Sequence, residues 1–309
     1  MFRFIDRRRS MAGSRGAGLA SAVVAAIVLV NAPSALAGGP TGDFAPFTKC
    51  PQFTTGVNFC VYSQITGGEM TLDKLTVPIV NPVTLQFGLM INTETGGETT
   101  VGALDGETLS PTPQPVPGGL SSLIACNEIK GRGPLEGIRR RACRAVFGNP
   151  GFSRVTATTE LAGPASGIVL NRSNQLSQEG VGLSLPVRIH LENPLLGKDC
   201  YIGSSAEPIV FNLTSGTTSP PPPNKQITGS IGAITIKDEF KFAGFGEHSE
   251  VDNAFSAPAA TGCGGHFSSI VDPLIDSKIG LPSPAGYNTI IHVGYALLAV
   301  VGAVIESEK

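Results

Sequence analysis

Six stretches of this chain alternate apolar and polar residues between turn-forming ones, and a period of two predicts β-strands. They are Met70 to Val80, Val83 to Asn92, Ser153 to Leu161, Leu183 to Leu191, Ile209 to Thr214 and Ile231 to Lys237. The clearest is Leu183 to Leu191, in which Leu183, Leu185, Val187, Ile189 and Leu191 share one face. Ser184, Pro186, Arg188 and His190 share the other, so that face is expected to be wet. Pro186 has no N–H for a ladder, which places the strand at a sheet edge or near a bulge. The run Ile290 to Ile305 also alternates: Ile291, Val293, Tyr295, Leu297, Ala299, Val301, Ala303 and Ile305 fall on one side, His292, Gly294 and Gly302 on the other. As a helix this run would span about 24 Å, short of a hydrocarbon core of roughly 30 Å. A strand with one buried face, bent or broken at its glycines, is therefore the expectation, and a tail anchor the weaker reading.

Two stretches break the alternation. Thr112 to Pro117 carries three prolines and reads as a stiff lead-in, after which Leu120, Leu123, Ile124 and Ile129 fall near helical spacing. Following Pro134, Leu135, Ile138, Ala142 and Val146 form the apolar side of a second short helix, with Arg139, Arg140, Arg141 and Arg144 largely elsewhere. Residues 119–147 are thus expected to form a helical insertion. The second break is Ser219 to Lys225, whose four consecutive prolines favour polyproline II and exclude regular sheet. Residues 38–309 are expected to form a single all-β domain: mostly β, antiparallel and β-sandwich-like, with a small disulfide-tied helical insertion at about 119–147 and a Pro-rich loop at 219–225.

Residues 1–37 read differently. Arg3 and Arg7 to Arg9 precede an apolar run from Leu19 to Val30, Pro33 breaks it, and Ala35-Leu36-Ala37 offers a small-x-small cleavage pattern. This is the layout of a signal peptide cut near Ala37, which predicts a secreted or cell-surface protein that meets a membrane only through that transient segment. Residues 1–37 hold five of the 22 Lys and Arg and one of the 24 Asp and Glu, leaving 17 basic and 23 acidic residues and a net charge of −6. An acidic excess argues against a nucleic-acid partner. All six cysteines, Cys50, Cys60, Cys126, Cys143, Cys200 and Cys263, follow the cleavage site, which suggests three disulfides. Fifteen connectivities exist. Nearest-neighbour pairing is expected, with Cys200–Cys263 spanning the proline run and making it a rigid loop within one domain.

No Gly-x-Ser-x-Gly elbow, His-Glu-x-x-His, phosphate-cradling glycine loop or dinucleotide fingerprint occurs, and no cofactor is expected. Four histidines are present, at 190, 248, 266 and 292. Cys263-Gly264-Gly265-His266 puts a Cys and a His close together, but zinc needs three or four ligands, so a disulfide cysteine in a glycine turn is the better reading and no metal is expected. Glu247-His248-Ser249-Glu250 holds a base and a hydroxyl yet reads as a solvated loop. The arginines at 139, 140, 141 and 144, with Arg132 nearby, are the densest positive feature and the candidate anion-binding site, for an anionic cell-envelope polymer or a surface protein.

Several segments carry a resemblance: Pro46 to Pro51, Asn193 to Gly197 with Cys200 to Gly203, Thr217 to Lys225, and Val251 to Pro258 leading to Gly262 to Gly265. Through them the chain resembles an uncharacterised family of secreted proteins from high-GC Gram-positive bacteria (actinobacteria). The resemblance covers most of the chain after residue 37 and implies export; it carries no functional residue over. The expected function is that of a non-catalytic extracellular or cell-envelope protein that binds an unidentified ligand. The alternatives are a secreted hydrolase with a carboxylate-based site and a structural subunit of a surface assembly.

Overall fold

The computed structural model describes residues 38–309 apart from 93, 95, 125, 127–133 and 148–152. The expected signal segment, Ile129 and Arg132 lie outside the described residues. Two antiparallel sheets stack face to face. The first comprises β1 (Val57–Leu72), β2 (Leu75–Pro78), β3 (Val83–Ile91), β4 (Glu98–Gly102), β11 (Ala233–Lys237), β12 (Phe242–Asp252) and β14 (Asn288–Val300), in the order β11-β12-β14-β1-β3-β4 with β2 on β1. The second comprises β5 (Gln114–Pro115), β6 (Thr156–Leu161), β7 (Val169–Leu170), β8 (Leu183–Glu192), β9 (Tyr201–Ile202), β10 (Ile209–Leu213) and β13 (Ala260–Thr261), arranged around β8. Among the described residues the α-helices are α1 (Leu120–Leu123), α2 (Pro134–Phe147), α3 (Arg172–Ser177), α4 (Ser268–Ile279) and α5 (Val301–Glu306), of which α4 lies between a strand of the second sheet and one of the first. The expected mostly-β sandwich is therefore present.

The alternation of β8 is realised as read, with its five aliphatic residues buried against the first sheet. Each contributes roughly 1.5–3 kcal/mol by leaving water. Its position is not at an edge, however. β8 is the central strand, and Pro186 is tolerated because of a gap between two of its neighbours: β6 pairs with residues 187–192 and β7 with 183–184. Pro186 O accepts from Ala162 N across that gap, so the missing N–H falls on the same side, where no ladder partner is waiting. Met70 to Val80 is likewise two strands, β1 and β2, turned about Asp73 at φ 44°.

The C-terminal run is a strand only as far as Val300, as β14; residues 301–305, expected to continue it, turn into α5, and toward that end both faces of the strand are covered, whereas Val293 is exposed. Ile290, His292, Ala296 and Leu298 look toward the second sheet, in register with Glu250 and Phe245 of β12 and with Ser63 and Val61 of β1. The opposite face, with Ala299 and Leu297, packs with Phe47, Tyr62, Phe242 and Val304 into a second apolar cluster outside the sheet. That cluster is capped by the turn at Gly42–Phe47 and by α5, elements from the two ends of the described chain. Both neighbours of β14 bulge at one level, β1 between Ile65 and Gly67 and β12 between Phe245 and His248, with Glu247 at φ 54°. The bulges crowd the backbone there: a Cβ at Gly294 would lie 1.9 Å from Gln64 O. Only glycine fits.

All three bridges pair nearest neighbours: Cys50–Cys60, Cys126–Cys143 and Cys200–Cys263. Asn224, just after the prolines, donates to the carbonyls of Asn253 and Asn288, and Asn253 donates back to Lys225 O. The proline run is thereby held against the strand ends.

Candidate functional site: a cavity between the sheets

The stacked sheets do not fill the space between them. A cavity of about 160 Å³ opens between β12, β14, β1 and β3 on one side and β7, β8 and α3 on the other. Its walls are mainly aliphatic and aromatic, among them Val61, Phe87, Leu183, Phe245, Ala296 and Leu298. A smaller cavity of about 50 Å³ shares Ser63, Leu85, Leu183 and Glu250 with it and continues toward Phe211 and His292. Protein interiors rarely hold voids much larger than a water molecule.

A polar cluster stands where the two cavities meet. His248 and Glu250 lie two residues apart on β12, so the strand's period of two points both inward; His248 Nε2 is 3.6 Å from Glu250 Oε1. The expected solvated loop is thus a buried strand segment. Its inward residues are polar, so apolar alternation does not mark it. Gln175 of α3 donates to Glu250 from above, and α3 is itself held by Ser215, which donates to Gln175 O at 3.0 Å. Burial disfavours the charged ring of His248, but the hydrogen bond and charge of Glu250, with backbone at Ile231 and Ser230, outweigh it and hold its pKa above 6.5. Burial likewise works to raise the carboxyl of Glu250, and His248 and Gln175 overcome that and lower it below 4.5. His292, opposite Glu250 on β14, is pushed down to about 4 chiefly by burial, with His248 adding to the shift and Glu250 opposing it. The centre of the site is therefore a buried His–Glu pair, each partner favouring the other's charged form, beside an imidazole that burial keeps neutral at pH 7.

The remaining cation of the cavity wall is also spoken for. Arg172 Nε donates to Glu98 at 2.6 Å, and its guanidinium lies 5.1 Å from the Phe59 ring centroid. Ser63 lines the cavity too, but on β1, with β14 between it and β12. Two strand spacings, with a further offset of two residues along the strands, separate its backbone from that of His248 by more than about 10 Å, too far for a Ser–His hydrogen bond of the kind a nucleophile needs.

Of the residues singled out from the sequence, His248, Glu250 and His292 meet at this site, and the others lie elsewhere. His190 stacks on Tyr201 at 4.4 Å on the outer face of the second sheet, 3.5 Å from Glu160, and Arg188 lies over the same ring. His266 is exposed beside the Cys263 glycine turn. Among the described residues, no three His, Cys, Asp or Glu side chains are grouped to hold a metal. Arg139, Arg141 and Arg144 are exposed on α2, whereas Arg140 is half-buried and ion-paired with Glu136.

The inward side of α2 is not the expected one. Glu136, Arg140, Cys143 and Phe147 face the body, while Leu135, Ile138, Ala142 and Val146 face solvent. The Cys126–Cys143 bridge and the packing of Phe147 on the core fix that rotation. Changing Arg139 and Arg141 together to Gln should then move unfolding stability by less than about 1 kcal/mol, since exposed substitutions are usually near neutral. Urea titration of the variant beside the parent checks this.

Compared with families of known proteins, with curated sequences and with solved structures, the chain finds no match. The three disulfides fit an oxidising, extracytoplasmic setting. No helix among the described residues is long and apolar enough to cross a membrane.

Proposed function

We propose that this is an exported binding protein that takes an uncharged, largely apolar small molecule between its two sheets. The observation that carries the reading is the apolar cavity of about 160 Å³ kept open in the centre of the sandwich. An apolar cavity of about 150 Å³ suffices to bind benzene, so the space suits an aromatic ring or the end of a short acyl chain. Its polarity narrows the choice further. His248 is matched by Glu250 and Arg172 by Glu98, so a carboxylate ligand would find no spare cation and would face Glu250. Export itself rests on the basic and apolar pattern of residues 1–37, on the disulfides, and on the resemblance to secreted actinobacterial proteins.

The test uses toluene, 1-hexanol and hexanoate as probes, with binding followed by calorimetry and by the rise in melting temperature. Toluene and hexanol are expected to bind saturably, and hexanoate at least tenfold more weakly at pH 7. Ala296→Leu extends a side chain into the cavity and is expected to act in opposite directions on two readouts. Stability should rise by about 1 kcal/mol as a void is filled, while probe affinity falls at least tenfold. Absence of saturable binding by any of the three overturns the proposal.

A further inference from the structure

Three aliphatic side chains on α2 stand unusually far into solvent: Leu135 is 68% exposed, Ile138 61% and Val146 47%. With Ala142 they fall within about 80° of the helical wheel at 100° per residue. Arg139 lies at one border of this stripe and Arg141 at the other, with Arg144 farther round. The Cys126–Cys143 bridge fastens the opposite side of the helix to the body. The result is a 14-residue amphipathic helix turned inside out, with its apolar side presented outward between arginines.

We propose that α2 is a docking surface for an anionic lipid membrane, on which it lies flat with Leu135, Ile138 and Val146 in the headgroup–acyl boundary. Charge selects the surface. Residues 38–309 carry a net charge of −6, so the exposed arginines of α2 meet attraction where most of the molecule meets repulsion. The aliphatic residues select a lipid over an anionic polysaccharide, because a hydrated polymer could satisfy the arginines but would leave the stripe in water. A second copy of the chain fits less well, since two such stripes facing one another would bring the arginines of both helices to one seam. From sequence, membrane contact is expected only through residues 1–37, and the aliphatic side of α2 is expected to face inward.

The body from residue 38 packs as one unit and is the form to test. Co-sedimentation is measured with vesicles of phosphatidylcholine alone and with 30% phosphatidylglycerol. Binding to the anionic vesicles is expected to be at least tenfold tighter, at about fivefold in affinity per arginine engaged, and to weaken severalfold in 0.5 M salt. The Leu135→Ser, Ile138→Ser, Val146→Ser triple variant should lose at least tenfold while keeping its melting temperature and its toluene binding. Ile138→Gln alone, with a severalfold loss, serves if the triple variant does not fold. No preference for the anionic vesicles overturns the proposal. So does binding that both aliphatic variants leave unchanged, which would mark the arginines as a site for soluble anions. Concentration-dependent dimerisation that the triple variant abolishes overturns it as well, in favour of a second copy. Toluene binding that survives loss of vesicle binding leaves the cavity reading intact.

Discussion

Replacing Cys200 and Cys263 together by Ser is expected to cost about 4 kcal/mol of folding stability, because their bridge closes a loop of 63 residues and restricts the unfolded chain accordingly. Both cysteines are fully buried, so the substitution also leaves two hydroxyls in an apolar setting. The bridge joins the start of β9 to the turn that leads into α4. Urea unfolding at pH 7 measures the effect. The matching Cys50 and Cys60 double variant provides the comparison: its loop of 10 residues predicts a loss nearer about 3 kcal/mol. If the short-loop variant proves the more destabilised of the two, loop closure is not what the long bridge contributes.

Acidification is expected to destabilise the protein through His292. Its folded pKa of about 4 lies below the ordinary 6.5, so between these values the unfolded chain binds a proton that the native state refuses. Stability therefore falls as pH drops through that window, by about 3 kcal/mol over its whole span at 1.36 kcal/mol per pH unit. The other two groups of the cluster act elsewhere. His248, with its pKa raised, stabilises below pH 6.5, and that contribution is lost as pH rises through the folded value. Glu250, with its pKa lowered, stabilises above pH 4.5 and loses the contribution as pH falls through its folded value. His292→Leu should flatten the profile between pH 6.5 and 4 and leave the slopes outside it. Unfolding free energies at half-unit pH steps decide the matter, and a variant as acid-sensitive as the parent would clear His292 of the role.

What could be read from the sequence divides along physical lines. The fold class and the face of β8 were legible because apolar residues repeat every second position there and nothing else competes. The bridges followed from six cysteines, all beyond a first segment that reads as an export signal, and from their order along the chain. β12 was not legible, since His248 and Glu250 occupy its inward positions and an apolar pattern finds no partner for them. Nor were the two covered faces of β14, whose outer cover comes from Phe47 and Val304, far apart in the chain. For α2 the aliphatic periodicity was real but pointed to the wrong side, because a covalent bond at Cys143 outweighs three exposed aliphatic residues. The cavity itself lies beyond any local pattern. It arises from the spacing of two sheets whose lining residues come from segments as distant as Val61 and Leu298.

The central position of β14 also sets a timetable for folding. β1 is hydrogen-bonded along its length to β14, with Phe59 opposite Val300, and β12 depends on the same strand from its other side. In a chain that emerges N-terminus first, both must wait for residues 288–300. Until then each offers an open edge able to recruit strands from other molecules. Closure by so distant a partner is slow, since the long intervening loop must be ordered before any pairing is gained. Maturation thus hinges on one late event, and the vulnerable interval is the passage of the last strand.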